Sequence, residues 1–199
     1  MTKWERFFDE KIKEIAKEEV IFDIGGGQRF QKNLTPYKKY FTNCSYKTVD
    51  IDPKRNPDIL ADAHNLPIAN ESVDGVICKS VLEHVKNPFQ VVEEIYRILK
   101  PRGKCFIYVP FLFAWHSSEK DEEDFWRFSE DGIKYLFRKF RKIEIYPVRY
   151  HFETIANLLP YSNKFPINVL VILSRFLDKI LERYQSKKQV SGYNIFLVK

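Results

Sequence analysis

The chain has 199 residues, 44% hydrophobic and 30% charged, with a net charge of +6 and three cysteines. This length and balance suit one soluble domain over residues 1–199, large enough to bury a proper core, and they exclude a disordered or low-complexity chain. Cys44, Cys78 and Cys105 stand far apart with no paired ligand spacing, so they read as small buried hydrophobes in a reducing compartment rather than a disulfide or zinc site.

Residues 2–18 carry Trp4, Phe8, Ile12 and Ile15 at three- and four-residue steps, which predicts a helix with one apolar face. The N-terminus is charged from Lys3 onward and has no signal-peptide core; no apolar run reaches the roughly 18 residues of a bilayer span. A cytoplasmic location is expected. A strand at about 19–24 runs into Gly25-Gly26-Gly27. A loop or broken helix containing Pro36 leads to a strand at about 46–51, after which Pro53 and Pro57 force an irregular connection. Another strand is expected at about 73–78. The helix at 88–99 has Asn87 as cap, Pro88 at its first position and Gly103 beyond its end. Cys105 to Val109 reads as a strand closed by Pro110. Ser129 caps a further helix, with Glu130 and Asp131 at its positive end. Ile143 to Val148 and Tyr193 to Val198 are the last strands. Strand–helix alternation predicts an α/β fold: a mostly parallel sheet with helices on both faces.

The chemistry concentrates where the first strand meets its glycines and the second ends in Asp50. Glycines let a backbone approach a ligand and take positive φ, and an acid at the end of the next strand can accept hydrogen bonds from ribose hydroxyls. The dinucleotide fingerprint Gly-x-Gly-x-x-Gly fails at its third position, which is Phe30. No Lys-Ser or Lys-Thr follows at P-loop spacing, which argues against a nucleoside triphosphate. Asp23 would repel a phosphate and attract a cationic amino-acid ligand.

Asp23-Ile24-Gly25-Gly26-Gly27 resembles the acid-x-Gly-x-Gly motif of the class I S-adenosylmethionine-dependent methyltransferases, of the type 11 kind. Asp50 matches that family's ribose-binding acid, and Ala61-Asp62-Ala63-His64-Asn65-Leu66-Pro67 its adenine-facing segment. Ser72 to Cys78 resembles its fourth strand. Ser80-Val81-Leu82-Glu83-His84-Val85 and Ile98-Leu99-Lys100-Pro101-Arg102-Gly103 are similar to its next helix start and turn. The match runs in order from about Val20 to Pro110, with Arg29 at the family's third glycine position. The resemblance implies a Rossmann-like sandwich of seven strands in order 3-2-1-4-5-7-6, the last antiparallel, with residues 150–191 as a helical insertion or cap. It implies S-adenosylmethionine as cofactor, held by Asp23, Gly25, Gly26 and Gly27 at the methionine part, Asp50 at the ribose and Asp62 at the adenine, with Ile51 and Ala63 also touching the cofactor. Lys79 and Ser80 would line the pocket.

The stretch from Trp115 to Ser129 falls just after the fifth strand, at the carboxyl edge where such sheets bind ligands. It mixes His116, acids, Trp115, Trp126 and Arg127, which suits an acceptor pocket with aromatic walls and a few orienting polar groups. Asp-Phe-Trp-Arg-Phe-Ser also resembles the Asp-Tyr-Trp-Arg-Phe-Thr signature of a methyltransferase subgroup linked to sugar or cell-surface chemistry. The expected acceptor is therefore a small molecule, a saccharide or a lipid-linked saccharide. A hydroxyl acceptor would need a base: His116 is the first candidate and His84 the second, with Asp124 to orient either. A metal site from His116, Asp121 and Asp124 is not expected, because the spacing matches no known cluster. Lys134, Arg138, Lys139, Arg141 and Lys142 interleave with Ile133, Leu136, Phe137 and Phe140, so they read as a solvated face and nucleic acid is not expected as a partner. Residues 167–184 form a helix with a broad apolar face flanked by Arg175, Lys179 and Arg183. Packing on its own domain is the default for such a face, with a peripheral membrane or a partner as alternatives. Two other classes stay open: a nicotinamide-dependent oxidoreductase, and a non-catalytic S-adenosylmethionine-binding interaction protein.

Overall fold

A computed structural model of the chain describes residues 1–116, 123–159, 167–181 and 188–199. The first helix, α1 (Lys3–Ile15), starts at a capping box in which the Thr2 hydroxyl accepts from the Glu5 backbone N–H and the Glu5 carboxylate accepts from Thr2. Strand β1 (Val20–Ile24) follows, then a 3₁₀ helix over Thr35–Tyr40 that holds Pro36 in its first turn. After β2 (Ser45–Asp50) come a short 3₁₀ turn at Pro53–Arg55 and the two-residue β3 (Ile59–Leu60). Strand β4 (Val73–Lys79), α2 (Pro88–Ile98), β5 (Leu99–Pro110) and α3 (Glu130–Leu136) build the middle. The chain ends with β6 (Lys142–Val148), α4 (His151–Leu158), α5 (Ile167–Ile180) and β7 (Gly192–Val198).

The seven strands stand in order β3-β2-β1-β4-β5-β7-β6. Neighbours from β3 to β5 run parallel; β7 is antiparallel to both β5 and β6. This is the Rossmann-like topology expected from the sequence. Side chains alternate across the sheet as the period of two demands. Cys105, Ile107 and Val109 of β5 face α2 and α3, packing with Val91, Ile95, Ile133 and Phe137. Phe106 points the other way, into a cluster with Ile12 and Ile15 of α1, Ile77 and Phe196.

Two expectations need correction. The fifth strand is longer than Cys105 to Val109: it begins at Leu99, which pairs with Val73 ahead of a register shift, and includes a turn where Arg102 takes φ 67°. The bulge lets the chain leave α2 directly into the sheet. The helix at 167–180 does not bury its apolar face on the domain. Among the described residues it packs on α4 through Ser174 and Asp178, and Leu170, Ile172, Leu173, Phe176, Leu177 and Ile180 are exposed. The expected continuation to residue 184, with Arg183, falls outside the described residues, as do Ser117 to Glu122 and with them Asp121.

Candidate active site

The carboxyl ends of β1, β2 and β4 form the floor of a cavity of about 370 Å³ lined by Gly25, Asp50, Ile51, Asp62, Ala63, Ser80 and His84 among others. Gly25 has φ 65°, and a Cβ there would stand 2.3 Å from Val81. Only glycine fits, and its N–H is held by the Val49 carbonyl at 2.7 Å. Asp50 is 6% exposed. One carboxylate oxygen accepts from the Asp52 N–H at 3.0 Å, while Oδ2 has no hydrogen-bond partner, the Arg55 guanidinium lying 3.9 Å away. A buried carboxylate oxygen lacking a donor is costly unless a ligand supplies one. Two vicinal hydroxyls would do so. Ile51, 67% exposed, gives an apolar ledge beside it.

Asp62 stands at the far side of the cavity. Its carboxylate accepts from the His64 N–H at 2.9 Å and lies 2.6 Å from His64 Nδ1. Partial burial pushes its pKa up, but these bonds more than offset that and hold it below the usual carboxylate range. His64 is thus the local brace of Asp62.

Asp23 is placed differently from the expected direct contact. It is 3% exposed and lies beneath the turn, where a Cβ on Gly26 would strike its carboxyl at 2.5 Å. The Tyr46 hydroxyl donates to it at 2.6 Å. Burial pushes its pKa up to about 6, against the pull of Tyr46, Lys32 and Lys79. Gly26 and Gly27 likewise shape the turn without lining the cavity. Lys79 also lies off the cofactor floor: its ammonium donates to the Lys32 carbonyl, sits 4.4 Å over the Phe8 ring and is brought down to about 8 by burial. It lines a separate cavity of about 230 Å³ between α1, β4 and β6.

A third cavity, about 310 Å³, adjoins the cofactor floor and shares Lys32, Arg55, Ser80 and His84 with it; Glu83, Tyr108, Phe113 and His116 complete the wall. The rings of His84 and His116 stand edge to face with centroids 5.1 Å apart. Their hydrogen bonds fix the tautomers. His84 Nδ1 is 2.7 Å from the Glu123 carbonyl oxygen, which can only accept. His116 Nδ1 is 3.2 Å from the Ala114 carbonyl and 3.2 Å from Asp124 Oδ2, again acceptors. Each Nδ1 therefore carries the proton and each Nε2 keeps its lone pair. Burial lowers the His84 pKa.

Asp124 has a fully buried side chain gripped by Arg127 at 2.5 and 2.7 Å, and it also accepts from the His116 N–H at 2.9 Å. The guanidinium beside it holds its carboxyl far below the usual range. Arg127 further donates to the carbonyls of Phe113 and Ala114. It is a strut of the segment rather than a cavity wall. Trp126 donates from Nε1 to the Val85 carbonyl at 2.9 Å, and Trp115 is 73% exposed. Neither tryptophan lines the acceptor-side cavity, whose aromatic walls are Phe113 and Tyr108. A large ring in a loop can serve as an anchor as readily as a wall, and Trp126 is such an anchor. Lys32 and Arg55 were missed altogether. Lys32 arrives through the left-handed residues Phe30, Lys32 and Asn33, with φ 62°, 49° and 71°, a path no sequence period announces. Phe30 stacks on Tyr46 at 4.5 Å, filling the place of the third dinucleotide glycine.

The sheet order and the glycine turn facing Asp50 define a Rossmann-like methyltransferase fold. Residues 22–107 match the family model of the methyltransferase domain, in line with the resemblance carried by the glycine motif and the segments after it. A demethylmenaquinone methyltransferase from Thermotoga maritima is 31% identical over 114 residues, 53% of this chain and 49% of that protein. A tRNA (carboxymethyluridine(34)-5-O)-methyltransferase from Arabidopsis thaliana is 29% identical over 123 residues, 59% of this chain and 29% of that one. The chain thus spans about half the length of these curated relatives, or less. Among solved structures, an S-adenosylmethionine-dependent methyltransferase from Archaeoglobus fulgidus superposes with a TM-score of 0.65 at 18% identity, covering 98% of this chain and 92% of that one. A Haemonchus contortus phosphoethanolamine N-methyltransferase in complex with S-adenosyl-L-methionine gives 0.57 at 16% identity, covering 98% and 52%. S-adenosylmethionine is the cofactor of this class. The orphaned Asp50 oxygen and the left-handed glycine turn at Gly25 on the same cavity are what such a nucleoside requires.

Proposed function

We propose that the protein methylates a hydroxyl-bearing small molecule or saccharide, free or lipid-linked, bound in the cavity lined by His84 and His116. The observation that carries the reading is the shared wall. Lys32, Arg55, Ser80 and His84 belong to both cavities, so an acceptor in one lies against a cofactor in the other. When bound, S-adenosylmethionine supplies an electrophilic methyl group on a sulfonium. Asp50 would hold the ribose, Ile51 and Ala63 would flank the adenine, Asp62 would accept from its amino group, and Gly25 would let the backbone approach. Asp23 would act from below the turn as the negative charge nearest a cationic ligand.

The chain's own work is then mainly placement, an effect that can reach several kcal/mol. In the metal-free protein, His116 Nε2 takes the acceptor's proton, while Asp124 holds Nδ1–H and stabilises the imidazolium. His84 stands opposite as the second polar group of the wall. The test is His116→Ala, assayed against sugars and lipid-linked sugars with S-adenosylmethionine binding as control. Turnover should fall at least a hundredfold, the low end for a general base, with the cofactor Kd within twofold of wild type. Undiminished turnover would remove His116 from that role. Cofactor binding without turnover on any acceptor would favour a binding protein over an enzyme.

A further inference from the structure

We propose that Glu83, His84 and His116 form a binding site for one divalent cation of the zinc type, placed to activate the acceptor's oxygen; the assignment of that oxygen rests on the function proposed above, the cation site does not. Each of the three residues offers one ligand atom, and these atoms lie within 4.8 Å of one another. Glu83 Oε1 is 4.0 Å from His84 Nε2. Around a zinc ion with bonds of about 2.0–2.1 Å the donors would stand roughly 3.3 Å apart, so small side-chain rotations close the set.

Three features separate this cluster from a chance meeting of polar groups. Glu83 is 1% exposed and its Oε2 has no hydrogen-bond partner, an expensive arrangement for a buried carboxylate. Both imidazoles are oriented from behind. His84 gives its Nδ1–H to the Glu123 carbonyl, and His116 gives its own to Asp124 and the Ala114 carbonyl. That is how metal-ligating histidines are usually held, with the lone pair on Nε2 free to bind. Finally, all three line the acceptor-side cavity, which leaves the remaining coordination position open toward it. Two nitrogens and one carboxylate with an open position suit a catalytic zinc site or a related transition metal.

A cation there lowers the pKa of a hydroxyl at its open position. The O–H bond breaks heterolytically, the electron pair stays on oxygen and the proton leaves to water. In the metal-loaded protein the two imidazoles are ligands and take no proton.

The test is titration of the full, chelator-stripped chain with zinc, followed by calorimetry, and with cobalt(II), followed by its visible spectrum. Expected are one zinc per chain and a tetrahedral cobalt spectrum, with affinity lost at least tenfold in Glu83→Gln and in His84→Ala. His151→Ala serves as a control and should bind as wild type. S-adenosylmethionine binding, measured on the same samples, reports whether each variant is folded. No zinc uptake by a wild-type chain that binds S-adenosylmethionine would overturn the site and leave the proposed function standing, as would uptake undiminished in both variants. Zinc uptake without S-adenosylmethionine binding would uphold the site and sink the proposed function instead.

An independent observation concerns α4 and α5. Helices on a domain surface turn apolar residues inward, and α5 does the reverse. Ser174 and Asp178 are its buried side chains, and the Asp178 carboxylate accepts from the Phe152 and Glu153 N–H groups at 3.0 and 2.9 Å. Its six large apolar residues named above face outward, joined by Leu158 and Leu159 of α4. Among the described residues of the pair, both acids, Glu153 and Asp178, are buried; Arg175 pairs with Glu153 at 2.7 Å, and Lys179 is exposed. An apolar outward face with the Lys179 ammonium beside it is complementary to an anionic lipid surface. The 14 described residues of α5 extend about 21 Å, and no helix among the described residues is long and apolar enough to cross a bilayer. We infer that the pair lies on an anionic bilayer, beside the carboxyl edge from which β6 emerges. The full chain should co-sediment with vesicles of phosphatidylcholine containing 30% phosphatidylglycerol, more weakly in high salt, and at least tenfold less as the Leu173→Ser, Phe176→Ser double variant. No vesicle binding would overturn the inference. So would a wild-type dimer in light scattering that the double variant makes monomeric without wild-type vesicle binding, since the face would then belong to a second copy.

Discussion

Asp50 is the residue on which the cofactor floor turns, because it is a buried carboxylate at the end of β2 with an oxygen left for a ligand. Asp50→Ala should raise the S-adenosylmethionine Kd at least tenfold, about 1.4 kcal/mol, as read by isothermal titration; an unchanged Kd would remove the ribose assignment. Asp23 makes a different prediction. Burial raises its pKa to about 6, while Tyr46, Lys32 and Lys79 oppose the rise and Asp50 adds to it. A cationic ligand over the turn favours the ionised form. Cofactor affinity should therefore be full above about pH 7 and weaken as pH falls through 6, by at most about tenfold per pH unit. Titrations at pH 5, 6 and 7.5 check the sign, and Asp23→Asn should flatten the profile. Asp23 was legible as an acid before glycines; its place beneath the turn was not, because that depends on Tyr46, a residue of another strand.

At the scale of elements, the segment from Glu123 to Ser129 acts as a strap across the carboxyl edge. The N–H groups of Phe125 and Trp126 donate to the Glu83 carbonyl, Trp126 Nε1 reaches Val85, and Arg127 ties Asp124 to Phe113 and Ala114. The strap thereby positions both ring nitrogens of the His84–His116 pair from behind. Arg127→Lys keeps the charge but loses the planar fork, which is not a conservative change at a bidentate site. Turnover should drop at least tenfold while the cofactor Kd stays within twofold, since Arg127 does not line the cofactor cavity. Equal losses in both would mean that the strap holds the whole edge together. Strands and helices were legible here from periodicity, caps and glycines: Asn87 with Pro88, and Ser129 with Glu130, mark the helix starts that the structure contains. The strap has no period. What organises it is a long-range set of backbone carbonyls, which a one-dimensional pattern does not display.

Across the whole molecule, apolar residues are divided between two jobs. Phe106 is fully buried, edge-on to Phe8 at 5.3 Å and packed with Ile77 and Phe196, where the sheet meets α1. Phe176 is equally large but 62% exposed, on the outward face of α5. Sequence alone could not tell these phenylalanines apart, since both lie in strongly apolar stretches, and the default expectation of inward packing holds for one and fails for the other. Stability measurements should separate them. Phe106→Ala removes transfer energy and leaves a cavity, so it should cost about 3–5 kcal/mol in urea unfolding followed by tryptophan fluorescence. Phe176→Ser should change the unfolding free energy by no more than about 0.5 kcal/mol, as exposed positions do. A loss above about 2 kcal/mol at Phe176 would mean that α5 packs its apolar face on its own domain in solution, and the lipid-facing assignment would fall with it. A near-zero effect there, together with lost vesicle binding, would make those side chains a surface kept for association rather than for folding.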